Sequence, residues 1–230
     1  MKKDILFPLI ILMGISLGCS KIGEFASGPA NSGNASDSNT ETAKSGETVP
    51  AAGEFAPTSD PKADIEKIAD RFMSRSFFTA KMELVGDATV RTDLEFISPD
   101  RYRLRTDGLM EMIIVGKNSY MKTGGKWRKM PLQIGSTVED MRAAFSRDGM
   151  KWFSDVRYAG DDTIDGRPAF VYAYHSKGPT SRGENDSKLW VGSSDGLPIK
   201  IEAIYTSGEA KSMTIEYDYE TPVSIEPPIE

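Results

Sequence analysis

The stretch RYRLRT, residues 101–106, alternates between charged and apolar side chains. In an extended chain, Tyr102 and Leu104 point to one face, and the three arginines point to the other. Alternation with a period of two is typical of a β-strand that has one buried face and one solvent-facing side. The stretch therefore predicts an antiparallel sheet that is apolar inside and polar outside.

The same period recurs along most of the chain. VRTDLEF (residues 90–96) and KSMTIEYDY (residues 211–219) repeat the alternation of polar and apolar side chains. Further segments with strand character are KMEL, MEMIIVG, NSYMK, KWRKM, GRPAFVYAYH, SKLWVG and LPIKIEAIY. About ten strands at hairpin spacing predict a single antiparallel sheet.

Two helical patterns interrupt the strands. Asp60 is placed to cap a helix that begins at Pro61, and apolar residues follow at the spacing of one helix face as far as Met73, so the helix is expected to end near Ser76. STVEDMRAAFSRDG opens with a capping box and ends at a glycine, which predicts a short helix over 136–148. A sheet this wide must curl. The predicted fold class is therefore α+β: a curled antiparallel sheet, or half-open β-barrel, whose concave apolar face is covered by an N-terminal helix and a short mid-chain helix.

Two short helices are not expected to fill the concavity of such a sheet, and the remaining space predicts a hydrophobic cavity. Methionine is frequent in the domain, and its unbranched, polarizable side chain adapts to irregular apolar partners such as acyl chains. The same side chains could also fill an ordinary core. The candidate lining residues are Phe72, Met82, Leu84, Leu94, Phe96, Tyr102, Leu104, Met112, Ile114, Met141, Phe145, Phe170, Tyr172, Ile201, Met213 and Ile215.

The amino-terminal segment predicts export. Two lysines precede ILFPLIILMGISLG, an apolar run that is too short for a membrane-spanning helix of ~20 residues. The run leads to Cys19, the only cysteine, and this ending resembles the lipobox of bacterial lipoproteins, although Ser16 and Leu17 stand where leucine and a small residue are usual. The resemblance implies a signal peptide over 1–18 and an acylated anchor, with chains such as palmitate, on Cys19. The alternative is a cleaved signal that leaves no cysteine.

Composition then divides the chain. Residues 19–60 are rich in Ser, Gly, Ala, Asn and Thr, which predicts a flexible tether in which Phe25 and Phe55 are isolated aromatic residues of little significance. Residues 61–230 are expected to form one domain. The net charge is −6 and no basic block is apparent, so neither nucleic acid nor net-charge attraction to anionic lipid headgroups is expected.

The sequence offers little for catalysis or metal binding. His175 is the only histidine and is predicted to lie at the end of a strand. There is no Cys/His cluster, no glycine-rich phosphate loop and no G-x-S-x-G motif. DDTIDG (161–166) resembles half of a calcium loop, but Tyr172 stands where the bidentate glutamate is needed, so a β-turn is preferred. We predict no metal, no cofactor and no catalytic residue.

The order of helix, strands, mid-chain helix and strands over 61–230 resembles the LolA/LolB lipoprotein-carrier superfamily, and especially its lipid-anchored LppX/LprG-type relatives. The phrases that carry the resemblance are SPDRYRLR, GKNSYMKTGGKWRKMP, DTIDGRPAFVYAY, GLPIKIEA and YETPVSIEPP. The resemblance implies a half-open barrel whose concave apolar face, lidded by helices, holds acyl chains of a lipid or lipoprotein.

These features predict a monomeric, non-enzymatic envelope lipoprotein anchored through Cys19. It would bind acyl chains of a lipid or lipoprotein, carry or chaperone them between membranes, and admit them by movement of the helix at 136–148. The anchor would lie in the outer membrane or on the outer face of the cytoplasmic membrane, with the domain in the periplasm or outside. The alternative is a protein-interaction or envelope-stress sensing module that uses the same half-barrel to hold an envelope protein partner.

Overall fold

The computed structural model describes residues 54–108, 110–131, 149–177 and 183–229. Within these ranges the chain forms one α-helix, one short 3-10 helix and eleven strands. Helix α1 spans Pro61–Met73, and the 3-10 helix spans Gly149–Trp152. The strands are β1 Phe77–Val85, β2 Thr89–Ile97, β3 Arg101–Thr106, β4 Met110–Val115, β5 Asn118–Thr123, β6 Lys126–Met130, β7 Phe153–Ile164, β8 Arg167–Ser176, β9 Asn185–Gly192, β10 Pro198–Tyr205 and β11 Ser212–Asp218.

Helix α1 begins where the sequence predicts. The Asp60 carboxylate accepts hydrogen bonds of 3.1 Å from the backbone N–H groups of Lys62 and Ala63, and Pro61 occupies the first helical position. These contacts satisfy donors that have no partner within the helix. Ser74 closes the last turn by donating its backbone N–H to the Asp70 carbonyl at 3.1 Å.

The first and last strands lie side by side in the middle of the sheet. The strand order is β6-β5-β4-β3-β2-β1-β11-β10-β9-β8-β7, and every neighbouring pair is antiparallel. The chain therefore builds one half outward from β1 to β6 and the other half inward from β7 to β11. At the seam between β1 and β11, Met82 lies opposite Ile215. The sheet is not closed into a barrel, because β6 and β7 are its two edges.

This open sheet with its helix confirms the predicted fold class. The second predicted helix, 136–148, lies outside the described residues. Strand β7 was not predicted. Most of its side chains are exposed, and its pairing with β8 shifts register twice, so its apolar alternation is broken.

The predicted tether begins to pack before residue 61. Phe55 is 4% exposed, and its ring centroid lies 6.1 Å from that of Phe170 and 5.4 Å from the Arg71 guanidinium. At Gly196, which has φ +66°, a Cβ would lie 2.9 Å from the Phe55 ring, so glycine allows the ring to approach. Phe55, which the sequence suggested to be isolated and of little significance, is therefore part of the apolar cluster beneath α1.

The convex face of the sheet, on the side away from α1, is only partly polar. Ile225, in the C-terminal segment, is fully buried against Ile113 and Tyr120. Arg101 fixes this segment, because its Nη1 donates to the Ile225 carbonyl at 2.9 Å. The C-terminal segment thus covers apolar positions that alternation alone would leave in solvent.

Candidate hydrophobic binding site

The strand register places the predicted lining residues of the strands on one face. Antiparallel pairing keeps directly opposed residues on the same side of a sheet. Across β4, β3 and β2, one row of opposed residues is Met112, Leu104 and Leu94, and the next is Ile114, Tyr102 and Phe96. Across β1, β11, β10, β9 and β8, one row is Met82, Ile215, Ile201, Leu189 and Tyr172. Leu84 lies opposite Met213, and Phe170 lies opposite Val191. Phe72 faces them from α1. Met141 and Phe145 lie outside the described residues, and ligand binding by any member of the set stays a prediction.

One part of this face, here named the aromatic half, is packed with rings. Its buried members are Phe72, Phe78, Ala80, Phe96, Tyr102, Leu104, Met112 and Ile114. The ring centroids of successive pairs from Phe72 through Phe78 and Phe96 to Tyr102 are each 5.1 Å apart. Tilted rings at this separation attract one another beyond the effect of area burial. The aromatic half is therefore closely filled.

The other part, here named the pocket half, is built mainly from aliphatic side chains. Its buried members are Phe55, Ile65, Ile68, Ala69, Met150, Tyr172, Tyr174, Leu189, Val191 and Ile201. Between α1 and the sheet it contains a pocket of about 10 Å³, lined by Ile65, Ile68, Ala69, Phe72, Met150, Phe153, Tyr174, Leu189 and Pro198. This volume suits about one water molecule, whereas a cavity that binds benzene is on the order of 150 Å³.

The predicted open hydrophobic cavity is therefore not found between α1 and the sheet. The pocket beneath α1 is too small for an acyl chain, because large side chains occupy the concavity. Phe153 illustrates the filling, since its ring stacks on Tyr174 at a centroid distance of 4.2 Å. A ligand could enter here only if α1 or a neighbouring segment moved away from the sheet.

A buried carboxylate fastens α1 to the pocket half. Asp64 is 0% exposed and accepts hydrogen bonds from the Thr58 backbone N–H at 2.7 Å, the Thr58 hydroxyl at 2.8 Å and the Tyr172 hydroxyl at 3.1 Å. We call these three residues the Asp64 cluster. Burial, together with the neighbouring Asp64 carboxylate, raises the pKa of Tyr172 above its ordinary value. Sequence reasoning missed Asp64 because an acidic residue in the first turn of a helix is usually explained by the helix dipole alone.

Three tyrosines on this face are uncharged at neutral pH. Burial raises the pKa of Tyr174 to about 12, and burial also raises the pKa values of Tyr217 and Tyr219. All three hydroxyls therefore stay protonated at neutral pH. Neutral tyrosines suit an apolar ligand, because these three hydroxyls carry no charge whose hydration would be lost when the ligand binds.

His175 and the segment 161–166 are the two places that the sequence analysis considered for catalysis or metal binding. His175 lies near the end of β8, with Nδ1 2.8 Å from an Asp186 carboxylate oxygen. Asp165 and Gly166 have φ of 50° and 79° and form the turn between β7 and β8. In the part of the chain that the structure describes, no cluster of three or more His, Cys, Asp or Glu could hold a metal ion.

Among the described segments, no helix is long and apolar enough to cross a membrane.

No protein-family model matches the sequence, and no curated protein sequence matches it. Among solved structures, the lipoprotein LppX of Mycobacterium tuberculosis matches with a TM-score of 0.57 and 11% identity, covering 72% of this chain and 98% of that chain. LprF of Mycobacterium bovis matches with a TM-score of 0.54 and 11% identity, covering 76% of this chain and 100% of that chain. The chain has an LppX-like fold. In this LppX-like fold, the aromatic half and the pocket half are two parts of one apolar face.

Proposed function

We propose that the protein is a membrane-anchored envelope lipoprotein that binds acyl chains of a lipid or lipoprotein and carries or chaperones them between membranes. The observation that carries this proposal is the apolar face that the strand register makes continuous from β4 to β8. The LppX-like fold supports it. Cys19 would hold the anchor, and the tether would let the domain move near a membrane while it remains attached.

Loading would exchange α1 for the ligand. Ile65, Ile68 and Phe72 face the sheet from α1, and burial of each such side chain contributes about 1.5–3 kcal/mol. An acyl chain contributes ~0.8 kcal/mol per buried methylene, so about ten methylenes roughly replace the helix face. Because the two contributions are similar, uptake and release would both be accessible. The Asp64 cluster would add to the cost of lifting the helix.

The proposal is tested with the mature chain from residue 19 onward carrying Cys19→Ser. Mass spectrometry of the purified protein is expected to find copurifying lipid, and a fluorescent palmitate analogue is expected to displace it. Ala69→Val adds two carbon atoms to the helix face that covers the pocket and should lower probe affinity about tenfold, because displacing the helix then costs about two more methylene contacts. Lys62→Val, on the exposed side of α1, is the control and should leave affinity unchanged.

Protein that is always empty and never binds the probe would contradict the proposal. Capture of a single stoichiometric protein partner without lipid would favour the interaction-module alternative instead. Hydrolysis of the bound lipid, lost on changing His175, would show an enzyme.

A further inference from the structure

The β5–β6 hairpin concentrates positive charge at one edge of the sheet. Residues 117–129, KNSYMKTGGKWRK, contain five basic residues and no acidic residue in a chain of net charge −6. All five are exposed: Lys117, Lys122, Lys126, Arg128 and Lys129. The expectation that the chain has no basic block overlooked this segment, in which a tight turn between β5 and β6 brings the charges together.

Four of these cations lack a counter-charge in the described part of the chain. Lys122 Nζ lies 3.0 Å from a Glu111 carboxylate oxygen, but no described carboxylate forms an ion pair with any of the other four. Elsewhere on the sheet the arrangement is different. Arg103, for example, is paired with Glu95 at 2.8 Å and is mostly covered. The hairpin therefore presents more positive charge than the described carboxylates neutralise.

The hairpin also adjoins the apolar face. Strand β6 is the outermost strand, and Arg128 lies opposite Met121, which lies opposite the predicted lining residue Met112. On the other face of the hairpin, Trp127 is half-buried, and Lys122 Nζ lies 5.6 Å from its ring centroid. Tryptophan is favoured at the boundary between membrane and water, where its ring is apolar and its N–H is wet.

We propose that the β5–β6 hairpin docks the domain on an anionic lipid bilayer, with the edge of the apolar face turned toward the membrane. Exposed cations on this edge hairpin match such a surface in charge. The exposed part of Trp127, whose other side packs against the Ile113, Tyr120 and Ile225 cluster, matches it in polarity. Cys19 is joined to the domain by a long tether, so it would keep the domain near the membrane without orienting it. The hairpin would set the orientation of the domain on the membrane. Docking goes beyond the acyl-binding proposal, because it requires no bound ligand.

Vesicle sedimentation tests the docking with the mature chain from residue 19 onward carrying Cys19→Ser, which removes the anchor. Every contact described above lies beyond residue 53, so removal of residues 1–18 leaves them in place. We expect binding to phosphatidylglycerol vesicles at about 0.01 M salt and release at about 1 M, because the screening length falls from about 30 Å to about 3 Å. Equal binding to phosphatidylcholine vesicles, or binding that survives high salt, would overturn the proposal.

Charge variants locate the surface. K126Q/R128Q/K129Q is expected to lower the partition coefficient about 100-fold, since each cation near an anionic membrane adds about fivefold. Circular dichroism and thermal unfolding should match the parent protein, because these side chains are exposed.

The control K81Q/K188Q/K211Q removes the same charge from exposed positions elsewhere and should change the coefficient less than about threefold. An equal loss in both variants would show that net charge alone is responsible and would overturn the assignment to the hairpin. Unchanged binding by K126Q/R128Q/K129Q would overturn it as well. Uptake of the palmitate analogue by the same variants separates this result from the acyl-binding proposal, which requires uptake whether or not docking occurs.

Discussion

The aromatic half and the pocket half belong to one apolar face, but they are packed differently. In the aromatic half, rings follow one another at 5.1 Å from Phe72 to Tyr102. In the pocket half, aliphatic side chains surround a void of about 10 Å³, and the buried Asp64 carboxylate holds α1 in place. We infer that the first half maintains the shape of the sheet and that the second half is the part that opens.

A matched pair of truncations gives the largest expected effect. Leu104 in the aromatic half is 5% exposed, and Leu189 in the pocket half is 3% exposed. Leu104→Ala should lower the free energy of unfolding by about 4 kcal/mol, and Leu189→Ala by about 2–3 kcal/mol, because Leu189 already borders a void. Denaturant titration measures both. Equal losses would remove the distinction between the halves, whereas stronger probe binding by Leu189→Ala would sharpen it.

Alkaline titration of Tyr174 tests whether water reaches the pocket half. Burial raises the pKa of Tyr174 to about 12, from about 10 in an unfolded chain. Because the folded pKa is the higher one, the stabilisation is complete below about pH 10 and is lost as pH rises through 12. It amounts to about 2–3 kcal/mol. Tyr174→Phe should therefore flatten the alkaline fall in unfolding free energy. Titration of Tyr174 near pH 10, followed by tyrosinate absorbance, would mean that water reaches the pocket.

The Asp64 cluster provides a third comparison within β8. Tyr172→Phe removes the hydroxyl that donates to Asp64 at 3.1 Å and should lower the unfolding free energy by about 2 kcal/mol at pH 7. Tyr174→Phe, two residues along the same strand, should cost less than about 1 kcal/mol there, because its hydroxyl does not bond to a carboxylate. Tyr172→Phe should also speed loading with the palmitate analogue in stopped-flow experiments. An unchanged loading rate would argue against movement of α1.

The smallest effect is expected at His175, at the outer end of β8. The hydrogen bond to Asp186, helped by Glu184, raises the pKa of His175 above its ordinary value. The stability from these contacts is therefore complete below about pH 6.5 and is lost as pH rises through the raised pKa. Since His175 is the only histidine, one imidazole NMR signal reports its titration.

Asp186→Asn should lower the His175 pKa more than Glu184→Gln does, because Asp186 is 2.8 Å from the ring and Glu184 is 3.5 Å away. Identical titration curves for the two variants would contradict this assignment. Neither variant should alter uptake of the palmitate analogue, because neither carboxylate lines the pocket.

Alternation predicted the sheet well where strands have neighbours on both sides. RYRLRT coincides with β3, because pairing with β2 and β4 buries one face of it completely. Strand β7 could not be found in this way. It is an edge strand, and its two register shifts break the period that the prediction depends on.

The membership of the apolar face could also be predicted, since opposed residues in an antiparallel sheet keep the same side. The amount of free space could not. It depends on how the rings of Phe78 and Phe96 fit together, and ring packing is set by curvature and rotamers that a linear pattern does not contain. The burial of Asp64 was equally inaccessible, because its partner Tyr172 lies far away in the sequence.

Strands β1 and β11 are neighbours in the sheet, and their pairing determines when the sheet can be completed during synthesis. Each half consists of hairpins between successive strands, whereas the seam pairs Lys81 with Glu216 from opposite ends of the domain. A chain that emerges amino-terminus first can therefore form only partial sheets until Ser212–Asp218 follows. Late closure of this kind keeps the two central strands unpaired on one side until the whole domain has been synthesised.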